Sequence, residues 1–347
     1  MGELFHSKPW ITADDEAAVQ AVLRSGLLTQ GAHLPRFEGE MSNWLGVAGG
    51  VGVGSGGAAL ELSLRALECG PRAEVILPTY VCRTVLDAVV AVGANPVLCD
   101  VGPNWVVRAA DIAPHVTAKT RAVIVPHLYG IYADLAAIRQ LGLPVIEDAA
   151  QALGTSRQHA AQGDLVILSF HPTKCLTTAE GGMVLSRDAG LLARCRRGRD
   201  VGSESFGRQF SPLSEISAAL GLSQLARYAE FLQRRQAIAR SYQKALSGLT
   251  GLDLGWCNEV DTMFFRFPIK RAGGLESCQA AFQKSGIHVR RGVDELLHRL
   301  LGLPDAQFPS AVAHFFKTIS LPIYPALDST QMETVAATAA RILGTNG

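Results

Sequence analysis

The chain of 347 residues lacks the features typical of secreted, membrane-spanning and zinc-binding proteins. Its seven cysteines are scattered and never form Cys-x-x-Cys, which argues against a disulfide framework and a zinc site. No apolar run approaches the roughly 18 to 20 residues of a membrane span, and no export signal opens the sequence. We therefore expect a protein of the reducing cytoplasm with no metal site and no membrane anchor.

An excess of charge of either sign is also lacking. The 32 Lys and Arg residues are balanced by 31 Asp and Glu residues, which leaves a formal net charge of +1. This balance excludes a general electrostatic attraction to nucleic acid or to a membrane surface. Since 48% of the residues are hydrophobic, we expect a globular protein with a sizeable core that recognises its ligand locally.

Short β-rich runs alternate with helical patterns through the first two thirds of the chain. This alternation is typical of βαβ units around a mainly parallel sheet, in which ligands bind at the carboxyl ends of the strands. The predicted strands are residues 75–77, 96–99, 122–125, 145–147, 165–170 and 183–185, and the predicted helices are residues 58–67, 84–92 and 135–141.

The last third of the chain has a different pattern. A long amphipathic segment runs from Pro212 to about residue 246 and predicts a helical bridge to a second unit. Beyond it we predict strands at 263–268, 287–290 and 318–321 and helices at 275–285 and 329–343. We expect a large domain over residues 1–235 and a small α+β domain over residues 236–347.

A glycine-rich stretch, residues 52–57, reads Gly-Val-Gly-Ser-Gly-Gly and precedes a predicted helix. It matches the G-x-G-x-x-G pattern of dinucleotide-binding proteins, but the next strand does not end in the acidic residue that such a site needs. Two other interpretations stay open. The backbone N–H groups at the helix start are suited to binding a phosphate, or the glycines form a tight turn with positive φ.

An acidic residue, Asp148, ends the predicted strand 145–147. Two interpretations are open. Asp148 either forms a capping box with Gln151, or is a functional carboxylate at the carboxyl end of a strand. A carboxylate at this position is suited to keeping a pyridine nitrogen protonated, as pyridoxal chemistry requires.

A lysine, Lys174, lies in the loop that follows the predicted strand 165–170. Two interpretations are open. Lys174 is either a solvated surface charge, or a shielded amine whose lowered pKa allows it to form an imine. Ser169, five residues earlier, offers a hydroxyl to a phosphate or is a small residue that fills the strand.

Five ordered motifs resemble the DegT/StrS family of sugar-nucleotide aminotransferases, which are fold type I pyridoxal-phosphate enzymes. The motifs span residues 23–31, 54–60, 146–151, 169–182 and 321–325, nearly the whole chain. The resemblance implies an aspartate aminotransferase-like α/β fold, in which a large cofactor domain contains a mainly parallel, seven-stranded sheet beside a smaller C-terminal α+β domain. It also implies a homodimer in which each subunit completes the other's site.

The resemblance assigns roles to single residues. Lys174 matches the Schiff-base lysine, Asp148 the carboxylate at the pyridine nitrogen, and Gln151 the residue near the ring oxygen of the cofactor. Ser169 and the backbone at Gly57 and Ala58 match the phosphate ligands.

The sequence departs from the family pattern at several positions. Gly57 stands where a threonine is usual, so one hydroxyl is missing at the phosphate. Cys82 stands where an aromatic ring commonly stacks on the cofactor, so either Tyr80 substitutes or the ring is held differently. Cys175 and Ala179 replace the usual Asn and Gly, and the neighbour-subunit asparagine has no clear counterpart in residues 208–215.

The expected reaction is the transfer of an amino group, by resemblance from glutamate, to a keto-deoxy sugar attached to a nucleotide. The motif around Lys174 looks most like members that act at carbon 4 of the sugar. The alternatives are a sugar dehydratase of the same family, a cofactor-binding regulatory protein without turnover, and a nicotinamide dehydrogenase. Family dehydratases carry histidine at the lysine position, so Lys174 argues against the first.

Four further residues have two interpretations. His127 and His171 flank the predicted site, and we expect structural roles for both because a lone histidine beside apolar residues is usually structural. Arg290 and Arg291 follow a predicted strand and either bind a carboxylate or diphosphate or form a solvated strand end.

Overall fold

The computed structural model describes residues 2–154, 161–200, 210–259 and 262–344. A seven-stranded sheet dominates it, with the strand order β1-β7-β6-β5-β4-β2-β3. Only β7 runs antiparallel to the others. The mainly parallel seven-stranded sheet predicted from the sequence is therefore confirmed. The strands are β1 (Gly49–Val53), β2 (Glu74–Pro78), β3 (Asn95–Cys99), β4 (Thr120–Pro126), β5 (Val145–Asp148), β6 (Leu165–Ser169) and β7 (Gly182–Ser186).

Helices cover both faces of this sheet, because the strand side chains alternate between two apolar cores. In the part of the chain that the structure describes, no helix is long and apolar enough to cross a membrane. The helices up to residue 246 are α1 (Ala13–Ser25), α2 (His33–Leu45), α3 (Gly56–Ala66), α4 (Arg83–Ala91), α5 (Ala109–Ile112), α6 (Leu135–Arg139), α7 (Ala189–Asp200), α8 (Glu215–Ala226) and α9 (Tyr228–Leu246).

The long helical bridge predicted after Pro212 consists of two helices, so the prediction of one continuous segment is wrong. The break lies at Arg227, whose φ of −107° and ψ of 6° are not helical. The break places the Arg227 guanidinium 2.6 Å from the carboxylate of Asp15, a completely buried acid on α1. Pairing this buried charge outweighs the continuity of the helix.

The C-terminal part contains a three-stranded antiparallel sheet with the order β10-β9-β8 and its own apolar core. Leu4, close to the start of the chain, also packs into this core. Its elements are β8 (Leu252–Asp253), α10 (Trp256–Glu259), β9 (Phe267–Arg271), α11 (Gln279–Lys284), α12 (Leu297–Leu300), α13 (Pro309–Lys317), β10 (Thr318–Leu321) and α14 (Ser329–Gly344).

Two predicted strands of this part differ from the structure. Residues 287–290 form only isolated bridges, from Ile287 to Leu4 and from Arg290 to Ser320. The strand predicted at 263–268 begins only at Phe267, because Phe264 adopts a positive φ of 52° that interrupts an extended chain. This irregular turn directs Phe265 and Arg266 away from the small sheet.

A buried arginine on α9 holds the turn in place. The Nη1 of Arg235 donates hydrogen bonds to the carbonyl oxygens of Phe264 (3.1 Å), Phe265 (3.0 Å) and Ile323 (3.0 Å). Three carbonyl acceptors offset much of the cost of burying the guanidinium. The domain boundary expected at residue 235 falls inside α9 and stays a prediction.

Candidate active site

The chemistry-bearing side chains predicted from the sequence meet at the carboxyl ends of β5 and β6. Asp148 is the last residue of β5, Ser169 is the last residue of β6, and Lys174 lies in the loop between β6 and β7. Lys174, Ser169 and Gln151 line one small cavity that is partly open to solvent. Ala149, Ala150, Leu153, Leu168, Cys175, Leu176 and Phe265 complete its lining.

Lys174 is half-buried, and its Nζ lies 5.5 Å from the centroid of the Phe265 ring. Burial lowers the pKa of Lys174 below its ordinary value, although the negative charge of Asp148 partly opposes this shift. A lowered pKa increases the fraction of neutral amine, the form that attacks a carbonyl. The interpretation of Lys174 as an ordinary solvated surface charge is therefore wrong.

Asp148 is almost fully buried, with 8% of its surface exposed. Its Oδ1 accepts a hydrogen bond of 3.0 Å from the N–H of Ala150. Burial raises the pKa of Asp148, while this hydrogen bond and the positive charge of Lys174 act in the opposite direction. A buried carboxylate with few donors is suited to a cationic N–H, which would stabilise its charged form.

The alternative of a capping box at Asp148 is wrong. Residues 149–154 form turns rather than an α-helix. The side chain of Gln151 does not return to the backbone of residue 148. Its Oε1 accepts a hydrogen bond of 3.0 Å from the N–H of Tyr129 instead, which leaves the amide NH₂ as the donor on the cavity side.

The first turn of α3 lies against Ser169. A Cβ placed on Gly56 would lie 2.8 Å from the Cβ of Ser169, so only glycine allows this approach. The N–H of Gly57 donates to none of the described residues, as expected in a first helical turn. The N–H of Ala58 donates to the Oγ of Ser55, the N-cap, at 3.1 Å. An anion beside Ser169 would therefore find the Gly57 N–H free and would compete with Ser55 for Ala58.

The other two interpretations of residues 52–57 are wrong. None of the glycines in this stretch has a positive φ, which excludes the tight turn. Strand β1 lies at the edge of the sheet, where its one strand neighbour among the described residues is the antiparallel β7 and Val53 forms an isolated bridge to Pro212. The glycine pattern of a dinucleotide site instead follows a central parallel strand.

The positions of Cys82 and Tyr80 bear on which side chain could stack on the cofactor ring. Cys82 is exposed at the N-cap of α4 and lies within electrostatic reach of Lys174. Tyr80 is completely buried, and its hydroxyl lies 3.0 Å from that of Tyr129. The Tyr80 ring therefore does not substitute for the missing stacking ring.

Two residues of the site, Phe265 and Arg266, were not predicted. Phe265 lines the cavity and Arg266 lies beside it, within electrostatic reach of Lys174. Both positions follow from the irregular turn at Phe264, for which the sequence contains no glycine or proline signal. The Cζ of Arg266 lies 5.9 Å from the centroid of the Phe265 ring, which Lys174 also contacts. Among the described residues Arg266 forms no ion pair, and its Nη1 donates to the carbonyl oxygens of Arg291 and Gly292 at 3.2 Å each.

His127 has the structural role that we expected. Its Nδ1 accepts the N–H of Ala133 at 3.1 Å, so the proton lies on Nε2, which donates to Glu147 at 3.1 Å. His171 is exposed, and its Nδ1 lies 2.9 Å from the Oγ1 of Thr173 in the same loop.

The two arginines considered as anion ligands are engaged elsewhere. Arg291 forms an ion pair with Glu276 and lies over the Phe315 ring. Arg290 lies 3.4 Å from Asp294 in an exposed pair. Neither lines the cavity.

Comparison with known proteins places this site in a family. A profile of the DegT/DnrJ/EryC1/StrS aminotransferase family matches residues 9–340. The aminotransferase TlmJ from Streptoalloteichus hindustanus is 29% identical, with a TM-score of 0.90 over 99% of both chains. DesV from S. venezuelae, solved in complex with a ketimine intermediate, is 30% identical, with a TM-score of 0.87 over 96% of this chain and 98% of its own. Spr1654 from Streptococcus pneumoniae in its PMP-form, provisionally assigned as a sugar aminotransferase, is 26% identical, with a TM-score of 0.88 over 98% of both chains.

The chain belongs to the DegT/DnrJ/EryC1/StrS aminotransferase family. The family and the similar structures are pyridoxal-phosphate-dependent sugar aminotransferases by description, and the protein is an enzyme of this class with pyridoxal phosphate as its cofactor. The resemblance noted in the sequence and the fold type I architecture are both confirmed.

The lowered pKa of Lys174 predicts its reactivity in the cofactor-free enzyme. We expect an amine-selective acylating reagent to modify Lys174 with a pH profile centred below the ordinary lysine range, because burial disfavours the charged form. Replacing Asp148 with Asn removes the negative charge that raises this pKa, so the profile should move to still lower pH. Peptide mass mapping at a series of pH values measures both profiles, with the exposed Lys284 as internal reference. An unchanged profile in Asp148→Asn would contradict the electrostatic coupling.

Proposed function

We propose that the enzyme transfers an amino group from L-glutamate to a keto-deoxy sugar attached to a nucleotide, at carbon 4 of the sugar. The observation that supports the reaction type is the position of Lys174, a half-buried amine of lowered pKa in a cavity shared with Ser169. The provisional assignment of Spr1654 as a sugar aminotransferase supports the substrate class. The choice of carbon 4 rests on the resemblance of the motif around Lys174.

Each end of the cofactor has a suitable donor set in this site. We assign covalent attachment to Lys174, the pyridine nitrogen to Asp148, and the ring oxygen to the free amide NH₂ of Gln151. We assign the phosphate to Ser169 with the backbone of Gly57 and Ala58, and Cys82 would lie beside the ring. Bound pyridoxal phosphate supplies an electron-withdrawing ring that stabilises negative charge on the substrate carbon.

The protein's own residues then have distinct tasks. The Nζ of Lys174 carries the proton between the substrate carbon and the cofactor. Its lowered pKa favours this role at neutral pH, because more of the amine is then free to accept a proton. Asp148 stays ionised when a cation faces it, because opposite charge offsets the effect of burial. Leu176, Leu153 and the Phe265 ring limit the access of water to the cavity.

The function is tested with the purified enzyme. We expect borohydride reduction and peptide mapping to find the cofactor on Lys174 alone. Glutamate should then convert the bound cofactor to its amine form, seen as a loss of visible absorbance, and a nucleotide-linked 4-keto sugar should restore the absorbance. Product mass identifies the new amine.

The control for this test is the Lys174→Gln variant, which should bind the cofactor without covalent attachment. Conversion by another amino acid but not by glutamate would overturn the donor assignment. Amination of a 3-keto sugar alone would overturn the choice of carbon 4. Loss of a sugar hydroxyl without amination would instead identify the enzyme as a dehydratase.

We further propose that Arg266 binds a carboxylate of the glutamate donor. Its guanidinium is next to the ring that Lys174 contacts and has only carbonyl acceptors among the described residues. Burial lowers the pKa of Arg266, and an incoming carboxylate would relieve this cost. A bidentate arginine pair is the usual means of holding a carboxylate in a fixed orientation.

The Arg266→Gln variant should raise the KM for glutamate roughly tenfold or more, since it removes a charged partner from a shielded site. The KM for the keto sugar and the absorbance of the bound cofactor should stay as in the wild type. Stopped-flow absorbance of each half-reaction measures the two substrates separately. Arg290→Gln, at the exposed pair with Asp294, is the matched control. An equal rise in both KM values would contradict the assignment to the donor.

We also propose that the enzyme is a homodimer whose subunits complete each other's sites. An exposed apolar cluster supports this arrangement. Leu23 is 54% exposed, Leu27 is 65% exposed and Leu28 is 43% exposed, all near the C-terminal end of α1 in a segment that resembles the family. Residues 203–214, just before α8, are the candidates for the reach into the neighbouring site, and of these 203–209 lie outside the described residues.

The location in the cytoplasm stays a prediction. The free thiols of all seven cysteines support this prediction, because disulfides are rare in a reducing compartment.

The dimer is tested by analytical ultracentrifugation read at the absorbance of the bound cofactor, which reports mass and occupancy together. We expect a dimer that loses cofactor on dilution to monomer. Replacing both Leu27 and Leu28 with serine should weaken the dimer, because it removes apolar area from the exposed cluster. Val90→Ser, at a 56% exposed residue of α4, is the control. A monomer that keeps its cofactor and activity would show that one chain is sufficient.

A further inference from the structure

The phosphate end of the site lacks one hydroxyl. Position 57 carries glycine, so α3 offers only backbone N–H groups there, and one of these already bonds Ser55. A phosphate dianion that leaves water needs donors for most of its oxygens, since an unmet hydrogen bond in a shielded site is costly. Ser169 is one side-chain donor beside this helix turn.

A threonine on the neighbouring helix occupies the space that a side chain at position 57 would need. A Cβ built on Gly57 would lie 2.9 Å from the Cγ2 of Thr84, closer than carbon atoms normally approach. Thr84 is the second residue of α4, and its side chain is exposed. The glycine at 57 and the threonine at 84 are therefore a complementary pair, and a larger residue at 57 would require Thr84 to move.

The Thr84 hydroxyl is available for a stronger acceptor. Its recorded partner is the Sγ of Cys82 at 3.4 Å, and a thiol is a weak hydrogen-bonding group. The Cγ2 methyl, rather than the Oγ1, faces Gly57. Rotation of χ1 to another staggered position would place the hydroxyl where the methyl lies, and threonine in helices populates more than one such rotamer.

We infer that Thr84 supplies the phosphate hydroxyl that Gly57 lacks, so that this ligand comes from α4 instead of α3. The inference rests on the proposed placement of the cofactor phosphate between Ser169 and the first turn of α3. It also explains the departure at Gly57 without loss of a ligand, because removing one side chain makes room for the other.

The test compares the affinities of the cofactor-free enzyme for pyridoxal phosphate and for pyridoxal, which has no phosphate. The Thr84→Val variant keeps the shape of the side chain but removes the hydroxyl. It should lower the affinity for pyridoxal phosphate about tenfold, the usual effect of losing one hydrogen bond to a charged group. The affinity for pyridoxal should stay unchanged. Thr84→Ser keeps the hydroxyl and should retain the wild-type preference for pyridoxal phosphate over pyridoxal. The exposed Thr250→Val is the neutral control, and Ser169→Ala is the positive control.

A side-chain exchange provides a second measurement. The Gly57→Thr variant should lose affinity for pyridoxal phosphate because of the clash with Thr84, and the double variant Gly57→Thr with Thr84→Ala should regain it. If Thr84→Val keeps the wild-type preference while Ser169→Ala loses it, the inference about Thr84 is overturned and the phosphate placement stands. If both variants keep the preference, the placement fails as well, and the inference fails with it.

Discussion

The position of the site depends on one buried carboxylate, Glu147 on β5, which is completely shielded from solvent. It accepts the Nε2–H of His127 at the end of β4 and three backbone N–H groups, at residues 161, 162 and 163, that lead into β6. Burial raises the pKa of Glu147, but these hydrogen bonds outweigh burial and lower its pKa overall. Because an unpaired charge there would be very costly, the carboxyl ends of β4 and β5 and the chain that enters β6 are fixed relative to one another.

This fixed arrangement determines which side chains share the cavity. Successive residues of a strand face opposite sides of the sheet, so Asp148 faces away from the Glu147 side. The C-terminal part contributes Phe265 to the cavity lining, and the turn that carries Phe265 is held by the buried guanidinium of Arg235. It also approaches the large sheet closely at Gly292, where a Cβ would overlap the hydroxyl oxygens of Tyr80 and Tyr129. The site therefore lies between the large sheet and the C-terminal part.

The alternative functions are opposed by different observations. A nicotinamide dehydrogenase is excluded by the edge position of β1 and by the family. A sugar dehydratase of the family would carry histidine at position 174, where this chain has lysine. A regulatory protein without turnover was suggested by the departures at Gly57 and Cys82. However, Lys174 and Asp148 are kept together with shifted pKa values, and Thr84 stands beside Gly57. The pairing of Lys174 with Asp148 favours catalysis.

The sequence by itself determined the parallel sheet and singled out Asp148, Ser169 and Lys174, because these follow from local patterns: apolar strands that end in Asp148 or Ser169, and family motifs around Lys174. It did not single out Phe265 or Arg266. It did not reveal β1, whose three glycines have low strand propensity but fit close to neighbouring side chains. It also suggested a helix cap at Asp148, one continuous helix across Arg227 and a strand through Phe264. Only the tertiary structure decided these, because contacts distant in sequence, with Tyr129, Asp15 and Arg235, outweigh local preference there.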